Sequence, residues 1–352
     1  MRAASGRESR PDIKKTIENL DACVNRVYSM LMDDSYVPHK PRVVTIYDVS
    51  SQKFRKIQML PFFPDCIIQW IVVDLLMPVL MKSMDAYSCS SIPGRGGHKL
   101  YRHFRRFIRR KHRHARCAVQ MDIHHYYESI DIGILMAMLR RKCKDERLLR
   151  LVEVILRSTS QDGKSLAIGF YLNQWLANFY LQSTDRLIHQ GGAVRCYGRY
   201  MDNITFIGSN KRRLRAKMRE ICESVKRIGL SIKGDYQLFP LQETRKARIS
   251  RLRRQAMRPS SRKPLLPCCR DLRAVGFRFF GTGRIALRRR NWLRLRRQMI
   301  RIMAKLPAIS RKTAMSFLSR YGNIKHTSAF RIRAGYIKAP EIRAVKRSLK
   351  AA

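Results

Sequence analysis

Apolar residues at Ile13, Ile17, Leu20, Val24, Val27 and Leu31 recur three or four apart, so the spacing predicts one amphipathic helix over residues 12 to 33. The following "YDVSSQKFRKIQML" reads as a turn and a strand. "PDCIIQWIVVDLL" opens on Pro64 and Asp65 and predicts a helix that Pro78 ends or kinks. A glycine-rich turn, "IPGRGGH" (Ile92 to His98), leads into the basic helix "KLYRHFRRFIRRKHR". The apolar run "CAVQMDI" (Cys117 to Ile123) predicts a buried strand, followed by a helical region from Ile132 to Ser158 and another over residues 166 to 190. Two short strands, "RCYGRY" and "ITFI", flank Met201, Asp202 and Asn203 and predict a hairpin. A helix through "KRRLRAKMREICESVKRI" follows, then a basic Pro- and Ser-containing stretch from Arg245 to Arg270 that reads as a linker or insertion. "AVGFRFFGTGRIALRRR" predicts a strand, a Gly-Thr-Gly turn and a second strand, with basic helices to the end.

Charge turns this pattern into a statement about partners. In 352 residues, 45% of them apolar, 74 Lys and Arg oppose 25 Asp and Glu, a net +49. The apolar share is enough for a core of two or three closely packed subdomains, yet such a field opposes compaction unless a polyanion neutralises it. Nucleic acid is the expected partner. A membrane surface ranks well below it, because the cations are spread along the chain rather than gathered on one amphipathic segment. The most apolar run, Cys66 to Met81, is interrupted by Gln69, Asp74 and Pro78 and is too short to span a bilayer. The N-terminus has no apolar signal core, so a cytoplasmic location is expected. Nine scattered cysteines without a C-x-x-C pair read as reduced thiols. His112, His114 and Cys117 lack a partner pair at zinc-finger spacing and read as basic surface.

Two places carry candidate chemistry. Asp122 ends the predicted strand "CAVQMDI", with Glu128 and Asp131 continuing into the next element; alone, a strand-terminal Asp is more often a cap or turn residue. Asp202 and Asn203 sit in the hairpin, where both are also good turn residues. Their pairing in one chain, 80 positions apart, is more specific than either. Nucleotidyl transfer uses two Mg²⁺ ions clamped by carboxylates on adjacent strands, and Mg²⁺ prefers anionic oxygen. Two acids from neighbouring strands are the minimum clamp.

With these motifs in order, the chain resembles bacterial reverse transcriptases of diversity-generating retroelements, retrons and their unclassified relatives over nearly its whole length. The resemblance implies an α+β, right-hand polymerase fold. Fingers would span residues 1 to 115, the palm 116 to 244, a basic linker 245 to 270, and the primer-grip hairpin with a helical thumb 271 to 352. "QKFRKIQMLPFFPD" and "IPGRGGHK" resemble the early fingers blocks, which places Arg55, and less firmly Lys53, against the incoming triphosphate; each is equally readable as surface charge. "MDIHHYYESID" resembles the first palm motif. Asp122 takes its metal-binding acid, Asp202 that of the turn, and Ile123 a further metal position. Tyr127 takes the aromatic gate that favours dNTPs, or is a core aromatic. "LAIGFYLNQWLANFYLQSTDRLI" resembles the next motif, with Gly169 and Gln174 at nucleotide- and template-facing positions, but Ala167 stands for the usual Pro and Asn173 for Ser. Lys233, in "IGLSIKGDYQLF", takes a general acid near the leaving pyrophosphate, or is a solvated helix-end lysine. "FLSRYGNIKHT" and "YIKAP" resemble the thumb's helical end.

Asn203 is the main departure, since the family turn is Tyr-x-Asp-Asp. It removes one negative charge from the site, and one unit charge about 4 Å from another is worth on the order of 4 kcal/mol at an effective dielectric of about 20. Asn retains a carbonyl oxygen of the same shape, and some viral RNA polymerases with this palm architecture carry Gly-Asp-Asn. Two readings follow. One is an RNA-directed DNA polymerase using two Mg²⁺, or Mn²⁺ in their place, with an RNA template, a DNA or RNA primer and dNTPs. The other is a catalytically impaired fold that binds RNA or RNA–DNA hybrid in a retroelement or defence ribonucleoprotein, with an accessory protein or noncoding RNA as partner by analogy. A third, a structural basic protein like those of ribosomes, sits poorly with the ordered palm motifs.

Overall fold

A computed structural model describes residues 2–48, 53–160, 162–258, 268–304, 310–328 and 339–350. The predicted N-terminal helix is two helices, α1 (Pro11–Glu18) and α2 (Leu20–Met32), broken at Asn19, whose backbone lies at φ −114° and ψ 40°. The Asn19 side chain donates to the Lys15 carbonyl (3.0 Å), a local bond that competes with helix continuation. Of the predicted apolar stripe Ile13 and Val27 are buried, whereas Ile17, Leu20 and Val24 are exposed.

Strands β1 (Arg42–Asp48) and β2 (Lys53–Met59) form an antiparallel hairpin in which Asp48 faces Lys53 and Ile46 faces Arg55. Helix α3 (Ile67–Ser83) passes through Pro78 without ending there. With the preceding turn it makes a segment, Phe62–Ser83, that is long and apolar enough to cross a membrane, so the expectation that this region is too short does not hold on length. Its Ile68, Val72, Val73, Leu76 and Leu80 are instead buried in the largest protein core.

The centre of the molecule comprises β3 (Ser88–Cys89), α4 (Gly97–Arg110), β4 (Cys117–Asp122), α5 (Tyr126–Ser129), α6 (Ile132–Arg140), α7 (Glu146–Arg157), α8 (Tyr171–Tyr180) and α9 (Gln182–His189), then β5 (Cys196–Tyr200), β6 (Asn203–Gly208), α10 (Lys211–Arg227) and β7 (Gln237–Pro240). The strands form one sheet in the order β3-β5-β6-β4-β7, antiparallel except for β3 with β5. Alternation along β4 sends Cys117, Val119 and Met121 into the larger core and Ala118 into a second core under α4. Thus Ala118, Gln120 and Asp122 share the face on which α4 packs. The helix predicted from residue 166 starts only at Tyr171, because Gly169 in the preceding loop has φ +120°.

The predicted linker is in part a helix, α11 (Arg245–Ala256), capped by the Thr244 hydroxyl accepting from Ala247 N–H (3.2 Å). Its Arg, Lys and Ala residues are good helix formers, and Arg251 pairs with Glu243 at 2.8 Å. Residues 259 to 267 of that stretch lie outside the described residues. Beyond it, β8 (Leu272–Ala274), β9 (Phe277–Phe279) and β10 (Ile285–Leu287) make a three-stranded sheet where two strands were expected. Helices α12 (Arg289–Met303), α13 (Arg311–Ile324) and α14 (Ala339–Lys350) close around Leu295, Met299, Phe317 and Val345. Most of "YIKAP" lies outside the described residues.

Candidate active site

Strand register brings the two predicted acids together. Asp122, the last residue of β4, lies directly opposite Asn203, the first of β6, and Asn203 also pairs with Tyr200 of β5. Met201 and Asp202 alone form the hairpin connection, so Asn203 belongs to the strand rather than the turn. Met201 sits at φ 56°, a left-handed conformation that a bulky residue adopts only when its surroundings impose it. The turn is tied down by Met201 N–H to the Cys89 carbonyl (3.2 Å) and by Ile123 N–H to the Asp202 carbonyl (3.3 Å).

Burial, then the neighbouring Asp122 carboxylate, pushes the Asp202 carboxyl above the ordinary aspartate range; Lys233 and the Asn203 amide oppose this. Asn203 Nδ2 donates to Asp202 Oδ1 at 3.1 Å. Lys233 is not at a helix end: its N–H donates to the Asp122 carbonyl (2.8 Å), and its ammonium forms an ion pair with the Asp122 carboxylate. Tyr127 is half-buried against the turn, its hydroxyl donating to Met201 Sδ at 3.6 Å. Burial first, and Asp202 second, raise its phenol well above the usual range.

Two mutually repelling carboxylates fit a hard divalent cation, which would offset the repulsion that raises Asp202. Among the described residues no group of three or more His, Cys, Asp or Glu is arranged to hold a metal ion, so a cation here would rely on these two acids plus carbonyl oxygens. Mg²⁺ sites of polymerase type are commonly built from one or two carboxylates completed by substrate phosphates. Ile123 has a buried apolar side chain, so only its carbonyl is available as a donor. Glu128 pairs with His125 on the surface, and Asp131 caps α6 by accepting from Ile134 N–H (2.9 Å). His112 and His114 are exposed while Cys117 is buried in β4.

Gly169 is where the β1–β2 hairpin meets this centre. Gln58 N–H donates to the Ile168 carbonyl (2.8 Å), and a Cβ on Gly169 would lie 2.3 Å from the Gln58 carbonyl oxygen. Only glycine fits. The two departures in this motif meet each other: buried Asn173 donates from Nδ2 to the Ala167 carbonyl (3.1 Å), closing the loop around Gly169, while its Oδ1 has no partner. Gln174 is half-buried and its carbonyl accepts from Asn178 Nδ2 (2.9 Å). Arg55 is paired with Asp48 (Nε to Oδ2, 3.1 Å), and Lys53 stands exposed at the hairpin tip.

Arg199, Asp185 and Asn178 were not among the predicted site residues. Arg199 is fully buried and donates twice to Asp185 (2.8 and 2.7 Å), to Ser88 Oγ (2.6 Å), to the Asn178 carbonyl (2.9 Å) and to the Met201 carbonyl (2.9 Å). The available signal was a charged residue inside an apolar strand, "RCYGRYM", which demands a buried partner.

The outer face of α4 carries a groove of about 340 Å³ lined by Arg102, Arg105, Arg106, Arg109 and Arg110. Arg278 and Arg284 lie 5.1 and 4.7 Å from the Phe280 ring in the β9–β10 connection. The α4 groove and exposed Arg284 are suited to phosphate, whereas Arg278 is taken up by Asp271 (2.8 and 3.0 Å).

No protein-family model matches the chain. Over 252 residues it is 25% identical to the group II intron-encoded protein LtrA of Lactococcus lactis subsp. cremoris, and equally to that of strain MG1363, covering 70% of this chain and 38% of theirs. Among solved structures, apo telomerase from Candida tropicalis superposes with a TM-score of 0.52 at 12% identity, covering 93% of this chain and 62% of that one. The chain therefore spans well under half the length of the intron-encoded relatives. The fold is of the reverse-transcriptase-like, α+β kind.

Proposed function

We propose that this chain is an RNA-directed DNA polymerase. The convergence of Asp122 and Asp202 on adjacent strand ends, beside Lys233, Tyr127 and the Gly169 loop, carries the reading. In it, residues 1 to 115 act as fingers, 116 to 244 as palm and 271 to 352 as primer grip and thumb, in the cytoplasm. Asp122, Asp202 and the Ile123 carbonyl hold the dications, with Asn203 steadying Asp202. Bound Mg²⁺ would supply activation of the primer 3′ hydroxyl and stabilisation of the leaving pyrophosphate.

The chain's own residues do the rest. Lys233 is placed to exchange its contact with Asp122 for the leaving phosphate and to donate a proton there. Tyr127 stands against the turn, where its ring would meet a ribonucleotide 2′ hydroxyl. Gly169 lets the loop backbone close on the base of the β1–β2 hairpin at the nucleotide-facing side of the site, with Gln174 behind it, and Arg55 with Lys53 offers cations to the triphosphate. The arginine face of α4 and the net charge hold the template and primer backbones.

A second reading, an RNA-binding protein with little synthesis in a retroelement or defence particle, is favoured by one observation: the Lys233 ammonium already neutralises Asp122. Primer extension on an RNA template with dNTPs, in Mg²⁺ and in Mn²⁺, separates the two. Weak synthesis that Asn203→Asp raises supports the polymerase; no extension in either metal, with salt-sensitive RNA binding intact, favours the second reading.

A further inference from the structure

We propose that the buried Arg199–Asp185 pair is the positioning device of the Met201–Asp202 turn, fixing Asp202 relative to Asp122 without touching substrate or metal. This rests on the polymerase reading of the site. An ion pair with 0% and 1% side-chain exposure is weak evidence of net stabilisation, since an apolar pair of similar volume often serves a core as well. What the guanidinium adds is directed donors. Arg199 points one at the Met201 carbonyl, the residue held at φ 56°, and spreads the others over Asp185 of α9, Ser88 of β3 and Asn178 of α8.

Those partners are the elements that frame the site. Helix α8 follows the Gly169 loop, and β3 is continuous with Cys89, whose carbonyl accepts from Met201 N–H. Asn178 closes the circuit: Nδ2 donates to the Ser90 carbonyl (3.1 Å) while Oδ1 accepts from Arg199 (3.4 Å). Tyr197 also donates to Asp185, so the carboxylate is saturated by one hydroxyl and a guanidinium fork. The turn's left-handed peptide is thereby held from both sides, its N–H by β3 and its carbonyl by Arg199. A lysine at 199 keeps the charge but cannot fork onto Asp185 and reach Met201 at once.

The test uses the full chain with Arg199→Lys and the double variant Arg199→Met/Asp185→Leu, each checked for folding by thermal unfolding. Mn²⁺ affinity is read by electron paramagnetic resonance and turn order by hydrogen exchange over residues 199 to 205. Both variants should fold, bind Mn²⁺ about tenfold more weakly or worse, and exchange faster at the turn. Affinity within twofold of the natural chain, with unchanged exchange, overturns the proposal. Asp202→Ala runs in parallel: if it leaves Mn²⁺ binding intact the metal reading of the site fails, and exchange at the turn then decides the positioning role by itself, faster exchange supporting it and unchanged exchange overturning it.

Discussion

The Met201–Asp202 turn and the β1–β2 hairpin are both assigned to the incoming nucleotide in the polymerase reading, yet they are built in opposite ways. The turn is a strained peptide bonded to β3 and to Arg199, which is itself anchored on α8 and α9 by buried bonds. The hairpin is a two-stranded ribbon whose aromatic residues Tyr47 and Phe54 are exposed and whose Arg55 leans on Asp48 at the surface. Its attachment to the centre lies at its base, through Gln58 and the Gly169 loop, roughly 10 Å along the strand from Arg55. In the polymerase reading, the half-buried acids that would hold a metal sit on a turn fixed by a buried network, whereas the cations that would follow a substrate in and out sit on a lightly held ribbon.

The joint between the two regions is the place to break this contrast. Gly169→Ala forces a side chain onto the Gln58 carbonyl at an unfavourable φ, so it should destabilise the chain by more than about 1 kcal/mol and reduce extension more than tenfold. Thermal unfolding beside steady-state extension checks both. If Gly169→Ala is silent, hairpin and turn are not joined there.

A smaller effect sharpens the electrostatic side. Dication binding needs an ionised Asp202, whose carboxyl is raised by burial and by Asp122, so affinity should fall as pH drops through a range above that of an ordinary aspartate. Asn203→Asp removes an amide donor and adds a like charge opposite Asp122. It should strengthen metal binding at neutral pH while moving the acidic limb further up, which titration of Mn²⁺ binding against pH will show. The smallest effect belongs to the hairpin: Arg55→Ala breaks a half-exposed pair, should change stability by less than about 1 kcal/mol, and should raise KM for dNTP several-fold with little change in kcat.

How much of this was legible in the chain follows the range of the forces. Strand β4, the hairpin around Asp202 and the basic helix α4 are local patterns, and their residues announced them. The meeting of Asp122 with Asp202 was legible only because two motifs stood in a recognisable order. Arg199–Asp185 was not, since a helix residue and a strand residue pair only after β5 docks on α9. The pairing of Lys233 with Asp122 was missed for the same reason, whereas the split at Asn19 and the helix at Arg245–Ala256 are set by local side-chain bonds and helix propensity that apolar periodicity does not encode. Ala167 and Asn173, read separately as departures, are one hydrogen-bonded unit.

Whether Asp122 and Asp202 form a templated polymerase centre is decided by single-nucleotide extension of a DNA primer on an RNA template, with the natural chain, Asp122→Asn and Asp202→Ala. Only the dNTP matching the template base should be added, and either substitution should bring addition to background. Addition that ignores the template base, or that survives loss of either carboxylate, rules such a centre out.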